Sequence, residues 1–185
     1  MEAMSAGPPL NQRTIVLVGL MGSGKSSIGR RLAAALDMPF VDADAEVEAA
    51  AGQTIPEIFA ELGEAAFREG ERRVIARLLD DPPHVLATGG GAFVNDETRA
   101  LILAKAVSVW LKADLDVLVR RVARKNNRPL LTGKDPAQVL GDLAKVRYPF
   151  YAQANVTVET GDTQHKAAVD AVIAGLTRYL SETPA

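Results

Sequence analysis

Apolar residues recur along this chain in two alternating patterns. Short, β-branched runs are followed by longer stretches in which apolar positions return every three or four residues. Thr14-Ile15-Val16-Leu17-Val18 is such a run and predicts a buried strand over 14–19. Further strands are predicted at 39–42, 84–88, 107–111 and 155–159. Val85-Leu86-Ala87 and Val107-Ser108-Val109-Trp110-Leu111 are apolar enough for a sheet covered on both faces. Helical spacing appears first in Ile28, Leu32 and Leu36. It returns over 64–79 with Phe67, Val74, Ile75 and Leu78, and over 114–124 with Leu115, Leu118, Val119 and Val122 behind an Asp114 N-cap. A helix over 136–147 starts at Pro136 behind Asp135 and ends before Pro149. The last, 164–180, presents Val169, Val172, Ile173, Leu176 and Leu180. These stripes read as core. Strand and helix alternate without an internal repeat, which is the pattern of an α/β fold with a parallel sheet.

Composition narrows the class. A chain of 185 residues suits one domain with a sizeable core, here 13–182 behind a loose leader over 1–12 that contains Gly7-Pro8-Pro9. The net charge of -2 gives no nucleic-acid or membrane signature. With no cysteine, disulfides and thiolate metal sites are excluded, which fits a reducing cytoplasm. No run approaches the roughly 20 apolar residues of a membrane span.

The chemistry centres on Gly19-Leu20-Met21-Gly22-Ser23-Gly24-Lys25-Ser26, which fits G-x-x-x-x-G-K-[ST]. Glycines let the backbone wrap and aim N–H groups at a polyphosphate. Lys25 reaches the β- and γ-phosphates, and the Ser26 hydroxyl suits Mg²⁺. A strand precedes the motif and a helix follows it, as the motif requires, so Ser23, Ser26 and Ser27 read as phosphate-loop residues rather than hydrolase nucleophiles.

Three further groups fall at predicted strand ends or on neighbouring helices. Asp42 and Asp44 follow the second strand, where carboxylates serve as metal ligand and proton acceptor, or else cap a helix starting near Ala45. Thr88-Gly89-Gly90-Gly91 follows the third strand and allows close backbone approach to a ligand, or a tight turn. Arg68, Arg128 and Arg147 are candidates for bidentate grip on carboxylate or phosphate. Residues 125–135, Lys125 to Asp135, are polar, basic and aperiodic with a short apolar patch, which suits a mobile lid or an ordinary surface loop. His84 and His165 lie in no ligand-like pattern.

Together these pieces resemble shikimate kinase. The resemblance rests on Gly19 to Ser26, Asp42-Ala43-Asp44, Gly63-Glu64, Phe67-Arg68-x-x-Glu71, Thr88-Gly89-Gly90-Gly91, Arg128-Pro129-Leu130-Leu131 and Arg147, and covers residues 14 to about 158. It implies a P-loop kinase fold of the nucleoside monophosphate kinase kind, a five-stranded parallel sheet flanked by helices with a mobile lid. It implies ATP-dependent, Mg²⁺-assisted phosphorylation of the shikimate 3-hydroxyl by a cytoplasmic monomer, on the way to chorismate and aromatic amino acids. Ser26 and Asp42 would serve Mg²⁺. Gly22, Ser23, Gly24, Lys25, Ser26, Ser27, Arg121 and Arg128 would hold ATP, with Arg121 on adenine. Asp44, Arg68, Gly89, Gly90, Gly91 and Arg147 would hold shikimate, with Phe59 and Phe67 walling its ring. Lys25, Asp44 and Arg128 would carry the reaction. The chain departs from the family in Val122 and Lys125, where Thr and Asp are usual. The rivals are another small-molecule kinase of the same fold, such as gluconate kinase, and a GTPase-like switch, whose Asn-Lys-x-Asp segment does not occur here.

Overall fold

The computed structural model of the protein describes residues 9–124, 133–162 and 164–183. Five strands stand where the apolar runs predict them, each within two residues: β1 (Ile15–Val18), β2 (Phe40–Asp42), β3 (Val85–Ala87), β4 (Val107–Ala113) and β5 (Val156–Thr160). All pair in parallel, in the order β2-β3-β1-β4-β5. The first strand is therefore central, with Val16 level with Leu86 on one side and Ser108 on the other.

Parallel neighbours must be joined by crossovers, and helices supply them. They are α1 (Lys25–Leu36), α2 (Ala43–Ala51), α3 (Ile55–Leu79), α4 (Asp96–Lys105), α5 (Leu115–Ala123), α6 (Pro136–Tyr151) and α7 (His165–Glu182). Ile15, Leu17, Val85 and Val109 face α1 and α7 through Ile28, Leu32, Val172 and Leu176. Val16, Val18, Leu86 and Trp110 face the other layer, with Val47, Ile75, Ile102, Leu140 and Tyr151. Both faces of β1 are thus buried, which is why it reads as a continuous apolar run and not as an alternating one. Leu10–Gln12 forms a single 3-10 turn, and Leu10 packs against the α1/α7 layer.

Three helix boundaries differ from the pattern, and one helix is not announced by it. The helix expected at 64–79 begins at Ile55, because Thr54 and Glu57 close a capping box with Pro56 in the first turn. Gly63 (φ 84°, ψ 171°) breaks the helical dihedrals inside it, so the apolar stripe restarts at Glu64. The helix expected near Ala45 starts at Ala43. α4 carries only Thr98 and Ile102 fully into the core, too few apolar positions to announce itself. α6 does not stop before Pro149 but runs to Tyr151. An interior proline costs about 3 kcal/mol. Against that, Tyr151 is entirely buried, and the Tyr148 and Tyr151 rings lie 5.0 and 5.8 Å from Trp110. Burial of one large side chain contributes roughly 1.5–3 kcal/mol and each ring pair about 0.5–1.5 more, enough to carry the helix through. Asp114 occupies the N-cap position of α5, but its side chain makes no capping hydrogen bond.

Candidate active site

The C-terminal ends of β1, β2 and β3 converge on one cavity of about 400 Å³. After β1 the backbone turns through left-handed glycines, Gly22 (φ 82°) and Gly24 (φ 93°), a region closed to most side chains. Gly24 is the N-cap of α1 and offers no side chain, so the N–H groups of the first turn are left open to an anion at the positive end of the helix. The Lys25 ammonium folds back over the loop and donates to the Gly19 and Leu20 carbonyls at 2.7 and 3.0 Å. Gly22, Gly24, Lys25, Ser26 and Ser27 all line the cavity, whereas Ser23 is buried beneath it.

Asp42 ends β2 and caps α2: its Oδ1 accepts from the Asp44 and Ala45 amides at 3.0 and 3.4 Å. The capping alternative thus belongs to Asp42 and not to Asp44. Its other oxygen, Oδ2, accepts from Ser26 Oγ at 3.5 Å. Two hard oxygen donors beside a phosphate loop fit Mg²⁺, which takes one or two protein ligands and completes its shell with phosphate and water. Among the described residues no group of three or more His, Cys, Asp or Glu side chains could cage a metal without such a partner.

Asp44, in the first turn of α2, points at the turn after β3. Burial pushes its carboxyl above the usual range, helped by Asp42 and opposed by Lys25 and Arg68. Thr88 pins that turn to β1, its amide and hydroxyl both donating to the Leu17 carbonyl. The three glycines that follow each lie where a side chain would displace a charged neighbour. A Cβ on Gly89 would fall 2.8 Å from Asp44 Oδ1, one on Gly90 2.7 Å from Arg147 Nη1, and one on Gly91 onto the Arg68 guanidinium. The glycines therefore let a carboxylate and two guanidiniums close around one strip of backbone.

Arg68 is held by Glu71, whose Oε1 accepts at 2.8 Å, and lies 5.0 Å from the Phe67 ring. Glu71 is 1% exposed, and its Oε2 has no hydrogen-bond partner among the described residues. Burial raises its carboxyl above the usual range, the Arg68 charge and hydrogen bond opposing and Asp44 adding. Phe59 and Phe67 stack at 4.8 Å, Phe67 buried and Phe59 partly exposed. Arg68, Arg147, Phe59 and Phe67 do not line the phosphate-loop cavity; the two arginines meet it across Gly90 and Gly91. Arg147 lies inside α6 rather than at its end.

At the opposite end, Arg121 donates to the Gly22 carbonyl at 3.0 Å and to Gly161 at 3.4 Å, tying α5 to the phosphate loop. Val122 packs under the same loop, where a Cβ on Gly22 would come within 3.1 Å of its Cγ2. Arg124 and His165 line the cavity beside Arg121. His165 carries no sequence motif; its place as first residue of the helix after β5, at the same sheet edge, is the signal that finds it. Arg128 and most of the segment expected as a lid lie outside the described residues. Of that segment, Asp135 caps α6 through the Ala137 amide.

The comparisons agree with this geometry. The sequence model of the family described as shikimate kinase matches residues 21–177. A shikimate kinase of Caulobacter vibrioides is 73% identical over 168 residues, which is 91% of this chain and 84% of that relative. One of Paramagnetospirillum magneticum is 59% identical over 168 residues, 91% of this chain and 86% of that one. Among solved structures, a shikimate kinase from Acinetobacter baumannii in complex with shikimate superposes with a TM-score of 0.83 at 38% identity, covering 87% of this chain and 90% of its own.

Proposed function

This chain belongs to the shikimate kinase family, and we propose that it transfers the γ-phosphoryl group of ATP to the 3-hydroxyl of shikimate, giving shikimate 3-phosphate and ADP. ATP-dependent phosphorylation of shikimate is a step in aromatic biosynthesis. The observation that carries the residue assignment is the Gly89-Gly90-Gly91 strip, closed upon by Asp44, Arg147 and Arg68 beside the phosphate loop.

The amides of the loop and Lys25 bind the phosphates of ATP, with Gly22, Ser23, Gly24, Ser26 and Ser27 shaping the cradle. Lys25 exchanges its carbonyl partners for phosphate oxygens. Arg121, already planar against the loop, takes the adenine end. Arg68 and Arg147 grip the shikimate carboxylate, which a neutral polyol lacks. Gly89 to Gly91 offer backbone groups to the ring hydroxyls, and Phe59 and Phe67 wall its apolar face. Asp44 orients the attacking hydroxyl and accepts its proton. Through a loose transition state little proton removal is needed early, so charge placement around the moving phosphoryl matters most. Ser26 and Asp42 would hold Mg²⁺, which when bound neutralises charge on the β- and γ-phosphates. Arg128 is assigned to the phosphates from its Arg-Pro-Leu-Leu segment alone.

We assign residues 13–182 to one catalytic domain acting as a monomer in the cytoplasm, without nucleic acid or membrane partner. Support comes from the near-neutral net charge, the absence of cysteine, and the finding that no described helix is long and apolar enough to cross a membrane. The test is ADP release with Mg²⁺ and a panel of acceptors. Turnover is expected with shikimate and not with gluconate; shikimate-independent ADP release as the sole activity would overturn the reading.

A further inference from the structure

Tyr151 is the largest of the fully buried side chains, yet it carries a hydroxyl and stands next to the acceptor site. The turn after β3 explains where that hydroxyl is used. The Gly89 carbonyl accepts from the Ala92 amide, and the Gly91 carbonyl accepts from Val94, both at 3.2 Å. Between them, the Gly90 carbonyl takes the Tyr151 hydroxyl. Arg147 lies four residues before Tyr151 on the same face of α6, and its charge acts on the phenol. Its guanidinium and the phenol oxygen therefore meet over Gly90, where a Cβ would stand 2.7 Å from Arg147 Nη1 and 3.8 Å from Tyr151 Oη. The ring itself is wedged by Trp110 and Tyr148, at 5.8 and 6.3 Å between centroids, so the hydroxyl has a fixed position. Burial pushes the phenol up to about 12 despite the pull of Arg147, so it stays a neutral donor throughout the working range.

We infer that Tyr151 is a positioning residue for shikimate: its hydroxyl donates to the Gly90 carbonyl beside the Arg147 guanidinium, and so sets the backbone strip, and bounds the place of the guanidinium, that receive the acceptor. The inference rests on the reading of Gly90 and Arg147 as acceptor-binding groups. Tyr151 touches neither nucleotide nor the transferring phosphoryl in that reading. It fixes how Arg147 presents its donors, a choice a flexible arginine would otherwise have to make on binding.

The test is steady-state kinetics on the full chain with Tyr151→Phe, Arg147→Ala and the double variant, each followed by thermal unfolding. Tyr151→Phe keeps the ring and its packing and removes only the hydroxyl. KM for shikimate is expected to rise between about fivefold and fiftyfold, the scale of leaving one buried acceptor without its hydrogen bond. KM for ATP and kcat should stay within about twofold. In the double variant Tyr151→Phe should add nothing to Arg147→Ala, since residues acting through one another are not additive. An unchanged KM for shikimate in Tyr151→Phe, with Arg147→Ala impaired, overturns the inference and leaves the acceptor reading intact. Full additivity in the double variant, or a parallel rise in both KM values with a lowered melting temperature, overturns it as well by making Tyr151 merely structural. Unchanged shikimate affinity in Arg147→Ala fails the acceptor reading and takes the inference with it.

Discussion

Asp44 carries a charge that opposes folding and that the proposed mechanism relies on. Its carboxyl is raised above the ordinary 3.8 chiefly because it is partly withdrawn from water, with Asp42 adding to the effect and Lys25 and Arg68 limiting it. A folded pKa above the unfolded one means the stabilising contribution is complete below the ordinary value and is lost as pH rises through the folded value. At neutral pH the charged Asp44 therefore works against folding. The apo Asp44→Asn protein should melt at the same temperature or higher at pH 7, with the gap closing as pH falls through the raised folded value towards 3.8. The same substitution removes the proton acceptor, so kcat should fall on the order of 10²–10⁴-fold. Calorimetry and steady-state kinetics on one preparation check both signs. A destabilised Asp44→Asn with normal kcat would return Asp44 to a structural role. The wild-type enzyme should also lose kcat on acidification earlier than an unperturbed carboxylate would dictate, which a pH–rate profile measures.

At the scale of elements, the strip after β3 is positioned by β1 through Thr88 and is enclosed by α2, α3 and α6. Gly91 has an ordinary φ of -93°, so alanine meets no backbone strain there. What it meets is the end of the Arg68 side chain, whose Nη1 would lie 2.8 Å from the new Cβ. A guanidinium can swing away at small cost to the fold, but then it leaves Glu71 and the acceptor. Gly91→Ala is thus expected to leave the melting temperature within a few degrees while raising KM for shikimate about tenfold or more, the loss of a charge-assisted contact. Titration of shikimate against the variant by calorimetry checks it; unchanged affinity would mean Arg68 does not bind the acceptor. The second element to test is the start of α3. Removing the Thr54 oxygen opens the capping box, and Thr54→Ala should lower unfolding free energy by about 1 kcal/mol, read as a shifted urea midpoint at constant slope.

At the scale of the molecule, the site is assembled from both halves of the chain, from Gly19 just after β1 to Arg147 on α6. The unfolded chain holds no such arrangement, so each substrate stabilises the folded state by mass action, about 2.7 kcal/mol at a hundredfold excess over Kd. ATP with Mg²⁺ and shikimate should each raise the melting temperature of the wild-type protein. Arg147→Ala should lose the shikimate shift and keep the nucleotide shift, because the two ligands meet different ends of the sheet edge. Loss of both shifts would mean that Arg147 supports the whole fold and not one subsite.

The phosphate loop was legible in residues 14–26 because its chemistry is local: left-handed glycines, a lysine and a hydroxyl within one turn of chain. The three central strands, β1, β3 and β4, were legible for a related reason. A strand covered on both faces must be apolar throughout, and that leaves a mark in sequence whatever its neighbours are. The grouping of Asp44, Arg68, the glycines and Arg147 was readable only through resemblance, since nothing local says that residues 44, 68, 90 and 147 meet. Tertiary structure alone decided which aspartate caps α2, because both Asp42 and Asp44 have the right chemistry and only backbone geometry chooses Asp42. It also decided that α6 passes through Pro149. The local penalty of the proline is set against the burial of Tyr151 on Trp110, a contact between residues far apart in the chain. That continuation is what brings the Tyr151 hydroxyl to Gly90. Sequence records the preferences of neighbours along the chain; the choice among them is made by packing energy between residues that are neighbours only in the folded molecule.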